Sequence, residues 1–139
     1  MTQPTVQVFI GFDSKEVIAY HVLCQSILER STVPVVFSPL YLPNLEGVFQ
    51  RERNALQSTE FSFSRFLVPY LSGFTGWSLF MDCDMLMRAD IAELWALRDD
   101  RHSVMCVKHD YQPKVETKFL GQTQTKYEKK NWSSVMLFN

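Results

Sequence analysis

Cysteine is scarce in this chain, with three in 139 residues, and no Cys-x-x-Cys pair occurs. An odd count without that spacing excludes a disulfide framework. Cys24, Cys83 and Cys106 each lie inside an apolar stretch and read as buried free thiols of a reducing compartment. An excess of one charge is lacking too. Fourteen Lys and Arg against fifteen Asp and Glu leave a net charge of −1, and the only basic run is Lys129-Lys130. That argues against general binding to nucleic acid or to a membrane surface. No apolar run is long enough to span a membrane, and Met1 to Pro4 has no positive region of a signal peptide. A cytoplasmic protein without a transmembrane segment is expected. Repeats and low-complexity segments are absent.

What is present is one domain's worth of alternating strand and helix signals. With 46% hydrophobic and 21% charged residues, residues 1–139 are expected to form a single α/β domain burying roughly two thirds of its unfolded surface. Val6 to Phe12 is β-branched and apolar, a strand ending at Asp13. Asp13-Ser14-Lys15-Glu16 has capping-box spacing, an N-cap carboxylate with a Glu three residues on. The helix it opens carries Tyr20, Leu23, Cys24, Ile27 and Leu28 as one apolar stripe, and Val33-Pro34 stops it near Arg30. Val35 to Leu42 reads as a second strand, whose Pro39 marks an edge or an irregularity. Strand, helix and strand with short links make a βαβ unit with parallel pairing.

Asn44 to Ser58 reads as loop. Glu60 to Leu71 reads as a helix with Phe61, Phe63, Phe66, Leu67 and Tyr70 mostly on one face and Pro69 loosening its last turn. Ser72 to Gly76 turns the chain back. Asp90 caps a short helix through Ile91, Leu94, Trp95 and Leu97. Ser103 to Asp110 and Ser134 to Phe138 read as further strands, with the polar stretch Tyr111 to Lys130 between them.

Trp77 to Met87 carries the chemistry. An apolar run stops at Asp82-Cys83-Asp84. Alternate side chains of a strand share a face, so the two carboxylates are expected to point one way while Cys83 points into the packing. Carboxylates this close repel unless a cation or a shared proton compensates. Oxygen ligands favour a hard divalent ion such as Mg2+ or Mn2+. The carboxyl end of a strand is also where open α/β sheets bind ligands. The plainer alternative is one Asp capping the next helix and the other solvated.

Four stretches together resemble the nucleotide-sugar glycosyltransferases of GT-A fold, and within them family eight, which contains glycogenin and bacterial lipopolysaccharide galactosyl- and glucosyltransferases. They are the opening strand ending at Asp13, Phe63-Ser64-Arg65-Phe66, Leu79 to Asp84 followed by Ile91-Ala92-Glu93-Leu94-Trp95, and Asn131 to Asn139. The resemblance implies a Rossmann-like, mostly parallel sheet flanked by helices. It implies a nucleotide-sugar donor, UDP-glucose or UDP-galactose, a Mn2+ or Mg2+ ion on Asp82 and Asp84, and hexose transfer with retention to an unidentified glycan, lipid-linked sugar or protein.

On the same resemblance Asp13 lies beside the nucleobase, though it serves equally as a helix N-cap. Asn131 and Ser133 could touch the donor sugar, the alternative being ordinary strand-end hydrogen bonding. Arg65 supplies a second cation for phosphate or sugar oxygens, its alternative being a surface pair with Glu60. His109 and Asp110 could line the same cleft. Two departures stand out. Trp132-Ser133-Ser134 replaces a small Ala-Gly pair, and family catalytic domains continue past this point to a histidine completing the metal site. The chain therefore resembles the N-terminal, donor-binding part of a longer enzyme.

Two rival readings remain. A haloacid-dehalogenase-like phosphatase also follows an apolar strand with Asp-x-Asp, although Met85-Leu86 and the motif's late position fit it poorly. An inactive or partner-dependent donor-binding fragment is the other.

Overall fold

The structure, a computed structural model, describes residues 4–112, 114, 121 and 128–139. Five strands form one sheet, flanked by short helices. In chain order the elements are β1 (Val6–Gly11), α1 (Val17–Leu28), β2 (Val35–Leu40), α2 (Val68–Leu71), β3 (Ser78–Met81), α3 (Ile91–Trp95), β4 (Val104–Cys106) and β5 (Val135–Phe138). Single 3-10 turns stand at Leu42–Leu45, Ser64–Leu67 and Trp132–Ser134. The strand order is β2-β1-β3-β5-β4. β1 pairs in parallel with β2 and β3, while β5 runs antiparallel to both β3 and β4. Four strands thus share one direction, as the mostly parallel, Rossmann-like expectation requires.

The pairing register places Val8, Leu79, Leu137 and Met105 in one row across the sheet, and Phe9, Phe80, Met136 and Cys106 in the next. Adjacent rows face opposite ways. Leu23 and Ile27 of α1, Phe61, Val68, Ile91 and Trp95 complete the buried core. Gly11 ends β1 because a Cβ there would overlap the Phe61 ring.

Several elements differ from the sequence reading. Asp13 does not cap α1, which starts at Val17 with Glu16 as N-cap and no side-chain cap. Tertiary contacts have claimed both carboxylates of the expected capping box. Leu28 leaves the apolar stripe and is exposed. Residues 60–71 do not form one amphipathic helix: a 3-10 turn leads into α2, and Pro69 sits in that helix's first turn, where its missing N–H costs nothing. Phe61 is buried, but Phe66 and Tyr70 are exposed. The strand expected over Ser103 to Asp110 is only Val104–Cys106, and Cys106 is exposed. All three cysteines are free. Pro39 lies in the edge strand β2 and Asp90 caps α3, its carboxylate accepting from the Ala92 N–H at 2.9 Å. Most of the polar stretch 111–130 lies outside the described residues. No described helix is long and apolar enough to cross a membrane.

Candidate functional site

The carboxyl ends of β1, β3 and β4 and the start of β5 lie along one edge of the sheet, because β5 is reversed. The chain positions singled out in the sequence fall on this edge, except Arg65, which reaches it from the 3-10 turn. β3 ends at Met81, and the Asp82 N–H extends its ladder one step by donating to the Ser134 carbonyl at 2.9 Å. Asp82 and Asp84 therefore sit in the turn beyond the strand, where strand alternation no longer dictates direction.

Their environments differ. Asp84 is exposed. The Asp82 side chain is 17% exposed and stands 2.9 Å from Arg65 Nη1, itself 9% exposed. Its Oδ1 atom is buried without an aligned hydrogen bond, so the contact is an ion pair by distance. Burial pushes the Asp82 carboxyl up to about 6, against the opposing pull of Arg65 and a Ser134 hydrogen bond, with Asp84 adding a smaller upward push. Desolvation of the charged form thus outweighs the guanidinium.

Arg65 is held on all sides. Its Nε donates to the carbonyls of Phe61 (3.3 Å) and Ser62 (3.2 Å), and Nη1 to the Ser133 carbonyl (2.8 Å) and hydroxyl (3.3 Å). The guanidinium lies 5.3 Å from the Phe61 ring and 5.1 Å from the Phe80 ring, within cation–π reach. The surface pair with Glu60 does not form; that carboxylate accepts from Ser14 instead. Arg65, Asp82 and Ser133 are thereby in direct contact. Asn131 adjoins them through the chain, in the left-handed region at φ 66°.

Asp13 is buried, its Oδ1 accepting from Lys15 N–H at 2.9 Å and Oδ2 from Glu60 N–H at 3.1 Å. It pins the β1 end to the 3-10 segment. Cys83 is fully buried and its thiol donates to Glu16 Oε2 at 3.5 Å. Burial and that carboxylate push the thiol well above its ordinary value, so it stays protonated and unreactive. Glu16 is also raised, chiefly by burial, with Asp84 and Asp13 adding to the shift against the lowering effect of the Cys83 thiol. Glu16 therefore joins Asp13 and Asp84 in one acidic neighbourhood beyond the ends of β1 and β3. Capping-box spacing concealed this role, and no local pattern marks it. His109 and Asp110 are exposed; the His109 carbonyl accepts from Trp132 Nε1–H at 3.0 Å.

Among the described residues no three His, Cys, Asp or Glu side chains group to hold a metal. The oxygen pair still suits a hard cation of the kind that takes one or two carboxylates and completes its shell with water and substrate phosphates. Asp84 is exposed and the Asp82 side chain keeps 17% exposure, so both carboxylates can meet such an ion even though Oδ1 of Asp82 already faces Arg65.

No family model matches the chain. It is 51% identical over 135 residues to Protein CDI of Arabidopsis thaliana, a match covering 96% of this chain and 52% of that protein. The chain thus spans about half the length of the curated relative it matches. Among solved structures it is similar to the apo structure of the WbbM bifunctional glycosyltransferase, with a TM-score of 0.59 at 17% identity, covering 97% of this chain and 31% of that one. At that identity the likeness shows the fold alone, which is GT-A-like.

Proposed function

We propose that this chain is the donor-binding part of a metal-dependent glycosyltransferase that moves a hexose from UDP-glucose or UDP-galactose, with retention, to a glycan, lipid-linked sugar or protein acceptor. One observation carries the reading. Asp82-Cys83-Asp84 ends β3 where a parallel and an antiparallel neighbour meet, in a GT-A-like fold, and Arg65 grips the inner carboxylate at 2.9 Å. Asp82 and Asp84 would hold Mn2+ or Mg2+. When bound, such an ion acts as a Lewis acid that neutralises charge growing on the departing diphosphate.

The chain's own residues do the rest. Arg65 holds the Asp82 carboxylate in one orientation and anchors Ser133 at the same time, so the acid and the segment ahead of β5 stay in register. Asp84, solvated, can turn to a ligand. Asn131 and Ser133 border the position expected for the donor sugar. Asp13, with its carboxylate committed to backbone donors, shapes the nucleobase end more than it binds there. The buried rings of Phe61 and Phe80 back Arg65 and strengthen the electrostatics there. Burial of Asp82 against Arg65 weighs against its use as a phosphatase nucleophile.

Calorimetry on the protein tests this reading. UDP should bind in the presence of Mn2+, and binding should vanish in Asp82→Asn and in Asp84→Asn. Equal UDP affinity with and without the metal would sink the assignment. A partner-dependent donor-binding unit is the second reading, favoured by the open apolar cleft among Leu94, Leu97, Met105, Val107, Val135 and Leu137. Under it, Mn–UDP binding occurs without sugar transfer.

A further inference from the structure

We infer that Trp132, Lys108 and Lys129 form a subsite for a pyranose ring carrying a negative charge. Lys108 Nζ lies 5.9 Å and Lys129 Nζ 5.7 Å from the centre of the Trp132 ring. Among the described residues neither ammonium has a carboxylate partner; Asp110 and Glu128, close by in sequence, pair with neither. Two like charges drawn to one indole repel each other, and an anion between them relieves that repulsion. At this distance the cation–π attraction is weak and the flexible stems can swing aside, leaving an aromatic face of the kind on which a sugar ring packs.

The ring is held. Trp132 Nε1–H donates to the His109 carbonyl at 3.0 Å, tying the β5 entry to the segment after β4. Lys129 and Asn131 both take left-handed backbone, at φ 56° and 66°, a conformation that an L side chain adopts at a cost and that often marks functional turns.

Position along the sheet edge assigns the ligand. Asp13 follows β1, the Asp pair follows β3, and Trp132 precedes β5, with Lys108 just past β4. A donor laid along this edge, with its nucleoside toward β1 and its diphosphate at β3, carries its sugar toward Trp132. This step rests on the glycosyl-transfer reading. Arg65 is committed to Asp82 and Ser133, so a negative substituent there meets Lys108 and Lys129 instead. The charged ring is the acceptor where the donor is UDP-glucose or UDP-galactose, or else is itself the transferred sugar in place of those neutral hexoses.

The test follows the Trp132 indole N–H resonance while methyl glucuronide or methyl glucoside is titrated into the protein at low salt. The glucuronide should bind about tenfold more tightly, equivalent to about 1.4 kcal/mol. Trp132→Ala should lose both ligands, read by saturation transfer on the sugar. Lys108→Gln combined with Lys129→Gln should keep the weak glucoside binding and lose the preference. Equal affinities in the wild type, no saturable glucuronide binding, or a preference that survives the double substitution would each overturn the subsite. Saturating Mn–UDP-glucose separates the two sources: free glucuronide that still binds identifies an acceptor, and a preference expressed only by UDP-glucuronate over UDP-glucose identifies the donor sugar. Mn–UDP binding in the same samples keeps the two readings apart. If it persists without sugar preference, only the subsite falls; if it is absent while the preference remains, only the transfer reading falls.

Discussion

The central strands of the sheet and its β4 edge are buried very differently. In β1, Val6, Val8 and Ile10 are fully buried, and all of β3 is enclosed. In β4, Val104 is 50% exposed and Cys106 faces solvent. Parallel strands need cover on both faces, and α1, the Phe61 segment and α3 contribute it. Among the described residues β4 is an edge strand, with an apolar cleft beside it lined by Leu94, Leu97, Met105 and Val107. The Asp pair follows β3, the central strand that has a parallel neighbour on one side and a reversed one on the other. Reversal delivers the Ser133-Ser134 turn to the end of β3, and only there can Arg65 reach both at once.

The largest test of this contrast is Leu79→Ala in β3, expected to cost about 4 kcal/mol by cavity formation, against Val104→Ala in β4, expected within about 0.5 kcal/mol. Comparable losses in urea denaturation would break the comparison. Next, Arg65→Ala should cost about 3 kcal/mol, because it strands a buried carboxylate. Arg65→Lys should recover part of that loss; an unchanged melting profile for Arg65→Ala would mean the clamp contributes nothing. Gly11→Ala should cost about 2 kcal/mol through overlap with Phe61, and a companion Phe61→Leu that fails to lessen the penalty would rule out that cause.

The smallest expected effect is on pH dependence. With the Asp82 carboxyl at about 6, protonation competes with the metal below that value. Mn–UDP affinity should be flat above neutrality and fall about tenfold for each pH unit below about 6. A fall centred near the ordinary carboxylate range would show that Asp82 is more hydrated than the structure places it.

Much of the frame was legible locally. Val6 to Gly11 and Ser78 to Met81 are apolar runs of strand length, Pro39 marked an edge, and Asp90 before Ile91 announced a cap. Misreadings arose where a residue had two uses. Asp13 and Glu16 fit a capping box, but tertiary partners, the Glu60 N–H and the Cys83 thiol, claimed their carboxylates. Phe61 and Phe66 looked like one stripe, yet Gly11 made room for Phe61 alone. Cys106 looked buried because its neighbours are apolar, and the edge position of β4 exposed it.

By itself the sequence determined the order of the strands and the main helices, which residues are apolar enough to form the sheet's interior, and that two carboxylates follow one strand. These depend on neighbours a few positions apart, whose spacing sets which face a side chain takes. Tertiary structure alone decided that Arg65 serves Asp82 and not Glu60, that Glu16 meets Cys83, and that Lys108 joins Lys129 at the Trp132 ring. Arg65 and Ser133 are 68 positions apart, and Glu16 and Cys83 are 67 apart. Contacts of that span exist only after the sheet order is set, and no local periodicity encodes which distant partner will arrive.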